Sequence, residues 1–444
     1  MTVPTGSAPV KLPVLLPSDA PAGAGWGGRF AAPATFAVFG LADILLFAIH
    51  AHGDATFAFT PQFAKVTVPD LSLPGAVTAY VGGGLTLALA ALRLAGVSSR
   101  PGVAGRLASR AARRTMLGLV LFLFVLALLA WSDAGQSISF NVVNLLSGTL
   151  SDSIPIMLGA LAGVICSTSG VINIAIEGQL LLGAFCAAIA TSATGSLWAG
   201  LVCGAGAGAL VGVVLAVFAI AYSVDQIVLG VVLTTLVTGL TGYLYNAIMS
   251  PFEATLNSPA TFTPWKIPLL GDIPIAGPVF FDASVFLYLT YIFLFVVQFG
   301  LLRTRWGLRT RAVGEHPVAA DTVGIRVLAL RYRNVIAAGL IAGVGGAYFT
   351  IGSVGSFGPN MSSGEGYIAL AAMIFGRYRP AGAVLAALLF GFTTQLQSIL
   401  SSINVPIQSN LLLLTPYVVT IVVVAGLVGK VRGPRAEGVP YRKS

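Results

Sequence analysis

The chain is 444 residues long, with 56% hydrophobic and 9% charged residues and a mean hydropathy of +0.91. A soluble domain of this length needs several times that charge to cover its surface, so a soluble enzyme is excluded. The net charge of +9 comes mainly from arginines between apolar runs, which is a topology signal and not a nucleic-acid-binding patch.

Residues 1–33 are rich in Pro, Ala and Gly and lack the charged start and short apolar region of a signal peptide, which predicts a disordered cytoplasmic tail. Apolar runs then recur, most of them long enough to cross about 30 Å of hydrocarbon. They are continuous and do not alternate with period two, which excludes a β-barrel. The fold class is therefore an all-α polytopic membrane protein.

Spans at 34–50, 74–95 and 115–132 make an N-terminal accessory region, 34–140; the first is the weakest because it contains Asp43. A core region, 141–429, follows with spans at 152–167, 179–193, 198–222, 226–246, 284–302, 334–351, 367–376, 380–400 and 408–429. The stretches 179–193 and 367–376 are too short to cross alone and read as broken or re-entrant pieces, so the expected count is about ten to twelve. Residues 430–444 form a cytoplasmic tail.

Arginine distribution orients the spans. Arg93, Arg100, Arg106, Arg110, Arg113 and Arg114 mark one cytoplasmic loop, the segment Arg303 to Arg333 a second, and Arg377 with Arg379 a third. Lys430, Arg432, Arg435, Arg442 and Lys443 put the C-terminus inside. The acidic, Pro-rich connection 247–283, with Glu253, Asp272 and Asp282, lies outside. Cys166, Cys186 and Cys203 sit in apolar, small-residue stretches without metal or redox spacing and read as packing residues.

Two polar breaks interrupt the core. The first is Gly170-Val171-Ile172-Asn173-Ile174-Ala175-Ile176-Glu177-Gly178-Gln179. Backbone that leaves helical geometry at membrane depth is tolerated only in protein or along a cavity, and a glutamate there costs about 2.5–3.5 kcal/mol on insertion scales. Asn173, Glu177 and Gln179 therefore either contact a polar solute or satisfy backbone groups freed by the break. The second break, Gly358-Pro359-Asn360-Met361-Ser362-Ser363-Gly364-Glu365-Gly366, again sets an Asn ahead of a Glu-Gly pair. Glu177 is expected toward the inside and Glu365 toward the outside, the arrangement of an inverted repeat with a site at its interface. Asp225 and Gln226 fall at a cytoplasmic turn and read as a helix cap or a subunit contact.

The loop 303–333 packs seven arginines, Arg303, Arg305, Arg309, Arg311, Arg326, Arg331 and Arg333. Its interior nonetheless looks ordered. Gly314 is suited to end a helical turn, Pro317 to start a new helix, and Ala319 and Ala320 to continue it, which makes a short docking helix on the cytoplasmic face.

Taken together, the first break, Asp225-Gln226-Ile227-Val228-Leu229-Gly230, the loop Trp306-Gly307-Leu308-Arg309 to Gly314-Glu315-His316-Pro317, and Gly364-Glu365-Gly366-Tyr367-Ile368-Ala369 resemble permease subunits of ABC importers. The likeness is to the branched-chain amino acid and simple-sugar permease superfamily, nucleoside branch, over roughly 145–429. It implies a pair of permeases in the plasma membrane, two cytoplasmic ATPases that bind ATP-Mg and dock on the loop helix, and an extracellular solute-binding protein. Docking would involve Arg311, Gly314, Glu315, His316, Pro317, Ala319 and Ala320. The chain carries no G-x-x-x-x-G-K-[ST] phosphate loop, so no cofactor is expected on it and it is not itself an enzyme.

A nucleoside path needs aromatic faces beside amide and carboxylate groups. Asn173, Glu177, Gln179, Phe185, Asn246, Asn360 and Glu365 are the candidates, with Tyr243, Tyr245, Phe349 and Phe357 as further aromatic faces. A ribose-like sugar is the alternative solute. A stand-alone ion-coupled carrier is the alternative class, with Asp43, Asp152, Glu177 and Glu365 as its titrating groups.

Overall fold

The computed structural model describes residues 26–60, 68–98, 110–136, 139–403 and 431–442, and the span expected at 408–429 lies outside them. Among the described residues nine helices are long and apolar enough to cross a membrane, and two shorter apolar helices accompany them. The chain divides into two units, residues 1–55 with 73–135 and residues 56–72 with 136–444.

The first unit contains α1 (Trp26–Ala42), which runs into a wider π turn at Asp43–Ala48, then α2 (Gly75–Ser98) and α3 (Arg110–Asp133). Helix α1 starts inside the stretch expected as tail, where Phe30, Ala31 and Ala32 are compatible with helix. Helices α1 and α2 pack together, as do α2 and α3. Phe36, Ala90 and Val120 make one core cluster, and Phe47, Ala48, Ala79 and Ala127 a second. The Phe39 and Phe124 rings meet edge to face at 4.9 Å.

The second unit opens with α4 (Val142–Thr168), ten residues earlier than the span expected at 152. Asn141 caps it by accepting from the Asn144 amide at 3.0 Å, and the helix extends through a polar outer half that hydropathy alone discounted. From Ser153 to Thr168 every residue of α4 is buried, and α13 (Pro380–Ser402), α11 (Val327–Ala347) and α12 (Glu365–Phe375) pack around it.

Between them the chain forms α5 (Ile176–Thr194), α6 (Leu197–Ala216), α7 (Gln226–Leu244), α8 (Val285–Arg303), α9 (Arg305–Glu315) and α10 (Pro317–Thr322). The segment expected as a half-helix at 179–193 is the 19-residue α5. The polar Ile176–Gln179 turn is helical after all, because its side chains find partners. Helix α12 stays short at 11 residues, as expected. Helices α6 and α11 pack along a glycine seam, where a Cβ on Gly208 would strike the Gly339 carbonyl and the Gly343 backbone. Such seams bring transmembrane helices to backbone distance.

Candidate translocation path and cytoplasmic docking face

The first break runs from the end of α4 through non-helical Val171–Asn173 into α5. Glu177, in the first turn of α5, is buried and uses both carboxylate oxygens. Its Oε1 accepts from Ser362 Oγ at 2.6 Å and from the Gly364 amide at 2.9 Å, and its Oε2 accepts from the Gly366 amide at 2.7 Å. These amides lie at the start of α12, where no intrahelical partner exists and the helix dipole favours a negative charge. Glu177 is therefore the cap of a helix some 190 residues away in sequence.

This contact corrects the expected placement of the two glutamates on opposite sides. At 1.5 Å per residue, the 11 residues of α12 span roughly 16 Å, about half the hydrocarbon thickness. Glu177 and Glu365 therefore share the N-terminal end of this short helix.

Asn173 and Gln179 are buried together, Nδ2 donating to Oε1 at 3.0 Å. Gln226 Oε1 accepts from the Ile172 amide at 2.7 Å, and Asp225 caps α7 by accepting from the Ile227 and Val228 amides, as its turn position suggests. Phe185 meets Phe357 edge-on at 5.2 Å, and Tyr245 lies 6.1 Å from the same ring. Asn257 clamps Phe357 by bonding both its backbone N–H and its carbonyl. Two expected path residues do not converge with these: Asn246 is exposed and donates to Gly242 in its own helix, and Asn360 is exposed in a turn. Glu365 opens α12, and its Oε2 is sealed from solvent with no hydrogen-bond partner among the described residues.

In the Arg-rich loop, Thr304 caps α9 and Trp306 Nε1 donates to Asn334 Oδ1 at 2.9 Å, tying α9 to α11. Gly314 does not end the helix. It sits in the last turn of α9, pressed so closely on the Thr168 carbonyl that a Cβ would collide with it. The break falls instead at His316, because Pro317 drives its predecessor out of helical conformation; His316 has φ −143° and ψ 83°. Arg311, Glu315, His316 and Ala319 are exposed, Pro317 is half-buried, and Ala320 is buried against Val313 and Val327. Val318 and Val323 are 66% and 75% exposed, which leaves an apolar ridge on and just beyond α10.

Residues 431–442 lie across the same region. The Ala436 amide donates to Gly314 at 2.8 Å, and the Gly438 amide to Gly170 at 3.2 Å. Arg331 is buried and donates to Ser169 O at 3.1 Å and Val439 O at 3.0 Å, at the C-terminal end of α4 where a cation suits the dipole. Glu437 is half-buried, and burial pushes its carboxyl above its ordinary range. Sequence reasoning counted Arg331 among topology arginines and missed the tail contacts. Its one usable signal was an arginine inside an apolar helix pattern.

Residues 145–424 match the family model described as branched-chain amino acid transport system / permease component. The chain is 39% identical over 316 residues to the guanosine ABC transporter permease protein NupQ of Bacillus subtilis, covering 68% of this chain and 99% of that one. It is 36% identical over 317 residues to the nucleoside ABC transporter permease protein NupC of Lactococcus lactis, with the same coverage, 68% and 99%. A putative glucose ABC transporter permease protein of Haloferax volcanii, TsgC13, is 33% identical over 60% of this chain and 80% of its own length. No solved structure matches the chain.

Proposed function

The chain belongs to the branched-chain amino acid transport system permease family, and from that premise we propose that it is the membrane subunit of an ATP-driven importer of nucleosides. The strongest support for the solute class is the alignment to a guanosine permease over 99% of that protein's length. Cytoplasmic ATPase subunits supply ATP hydrolysis, a second permease subunit completes the path, and an extracellular binding protein delivers the solute.

The apolar ridge of Val318 and Val323, carried on a short helix beyond the spans, suits docking of such an ATPase. Motion of α9 reaches the first polar break directly, because Gly314 rests on Thr168 and the Ala436 amide bonds its carbonyl. An ATPase that binds two states of this loop differently shifts the equilibrium between inward- and outward-open forms. The Arg-rich loops, with the C-terminus among them, lie on the cytoplasmic side.

The reading is tested by uptake of radiolabelled guanosine in cells expressing the whole transporter, with and without Gly314→Trp. The indole cannot fit against Thr168, so α9 must shift and uptake is expected to fall by about tenfold or more while the chain still reaches the membrane. Uptake that survives this variant and collapses with a proton uncoupler while ATP is maintained would replace the importer by an ion-coupled carrier. The likeness to a putative glucose permease favours a sugar as the second reading, which unlabelled ribose or glucose competing for uptake would reveal.

A further inference from the structure

Residues 431–442 lie beyond residue 424, where the match to the family model ends, yet they pack into the same unit as the core helices. The segment forms no helix or strand, and still Ala436 and Tyr441 are buried. Irregular backbone that is buried must find partners for its polar groups. This one finds them alternately on two sides.

The Arg-rich loop is one side and the first polar break is the other. The Ala436 amide donates to the Gly314 carbonyl in the last turn of α9 at 2.8 Å. Two residues on, the Gly438 amide donates to the Gly170 carbonyl of the break at 3.2 Å. The Val439 carbonyl accepts from Arg331 at 3.0 Å, and the same guanidinium reaches the Ser169 carbonyl beside the break at 3.1 Å. Tyr441 then returns to the loop, where its ring joins Val313, Ala320 and Val327. The fit is close at both glycines. A Cβ on Gly170 would press on the Arg331 guanidinium and the Ala436 carbonyl, and one on Gly438, at φ +77°, would strike Ile172. Ile172 in turn donates its amide to Gln226 in α7, so the contacts continue into a membrane span.

Loop and break also touch directly, Gly314 against Thr168. Packed surfaces resist compression but hold weakly against separation, because dispersion attraction fades steeply across a gap of roughly 1 Å. Hydrogen bonds to both partners resist separation as well. We propose that residues 435–442 are a coupling strap, which makes the first break follow α9 and α10 when they are pulled as well as when they are pushed. The inference rests on the importer reading, in which an ATPase docks on α10. Docking then sets the position of the loop, and the strap turns both directions of loop movement into movement of the break. Without the strap, ATP hydrolysis continues and solute transport no longer follows each cycle.

The test uses the complete transporter with its binding protein in proteoliposomes, and reads ATP hydrolysis and radiolabelled guanosine uptake from the same vesicles. In a chain ending at Arg435, guanosine imported per ATP is expected to fall about tenfold while the ATPase still copurifies with the permease. Should that chain fail to reach the membrane, Gly438→Ala and Tyr441→Ala decide by the same ratio, each with an expected fall of about threefold. Gly438→Ala drives a methyl into Ile172 at a left-handed φ, and Tyr441→Ala withdraws the ring from Val313, Ala320 and Val327. Tyr441→Phe keeps the ring and is expected to keep the wild-type ratio. Inactive protein lowers uptake and hydrolysis together and leaves the ratio unmoved, so a merely structural role does not imitate the result. A wild-type ratio in the shortened chain and in both alanine variants overturns the strap and leaves the importer standing. A shortened chain that reaches the membrane but no longer retains the ATPase also overturns it, and makes the tail a part of docking. Wild-type vesicles that import guanosine without hydrolysing ATP overturn the importer and the strap together.

Discussion

The two Glu-Gly breaks look alike in sequence and are hydrogen-bonded in opposite ways. Glu177 meets three donors, two of them backbone amides at the start of α12, so that each of its oxygens accepts at least one hydrogen bond. Glu365, one residue from two of those amides in sequence, holds a buried oxygen with no donor among the described residues. The first break is closed at its other end as well, where Arg331, Gly438 and Gly314 hold the turn at Ser169 and Gly170. A carboxylate in a membrane protein is thus not a functional residue by its presence alone. Glu177 is a structural joint because donors of another helix meet both of its oxygens.

Glu177→Ala is the hardest test of that distinction. It strands Ser362, Gly364 and Gly366, and hydrogen bonds to a charged acceptor are strong, so a loss of about 4 kcal/mol is expected. The thermal unfolding midpoint of the detergent-solubilised chain should drop by about 4–6 °C. Glu365→Gln should leave the midpoint close to wild type. A Glu177→Ala chain as stable as wild type would remove the structural reading of the first break.

Much of this was legible beforehand. Long apolar runs announced the spans, and Pro317 with its Ala residues announced α10. The two breaks stood out as polar interruptions, but sequence could not say that they touch, because 189 residues separate Glu177 from the Gly366 amide it accepts from. Asp152 was visible only as a titrating group of a rival carrier. The start of α4 was set at 152 by hydropathy, so Asn144, Ser147 and Ser151 ahead of it were not read as part of the helix. Asn246 and Asn360 were chosen for their chemistry, and nothing local in the chain reported that one bonds its own helix and the other faces outward.

Arg331→Met probes the far end of the closed break at smaller cost. Methionine fills the volume, and two charge-assisted bonds to the Ser169 and Val439 carbonyls are lost, for about 2–3 kcal/mol. Because one of those carbonyls belongs to the tail, trypsin should cut after Arg435 faster than in wild type while the rest of the chain keeps its digestion pattern. Unchanged cleavage would mean that the amides of Ala436 and Gly438 hold the tail without the arginine.

The mildest effect concerns Glu437, between those two amides. Burial raises its carboxyl above the ordinary value of 4.5, so between 4.5 and that raised value the docked tail binds more protons than the released one. Stability of docking is then greatest at low pH and declines as pH rises through the window. Hydrogen exchange at Ala436 and Gly438, corrected for intrinsic rates, should show protection falling over that interval. Glu437→Gln keeps the size and polarity of the side chain without its titrating proton, so it should flatten the pH dependence while keeping protection high. A slope that persists in Glu437→Gln would have to come from another group near the tail and would remove Glu437 from the account.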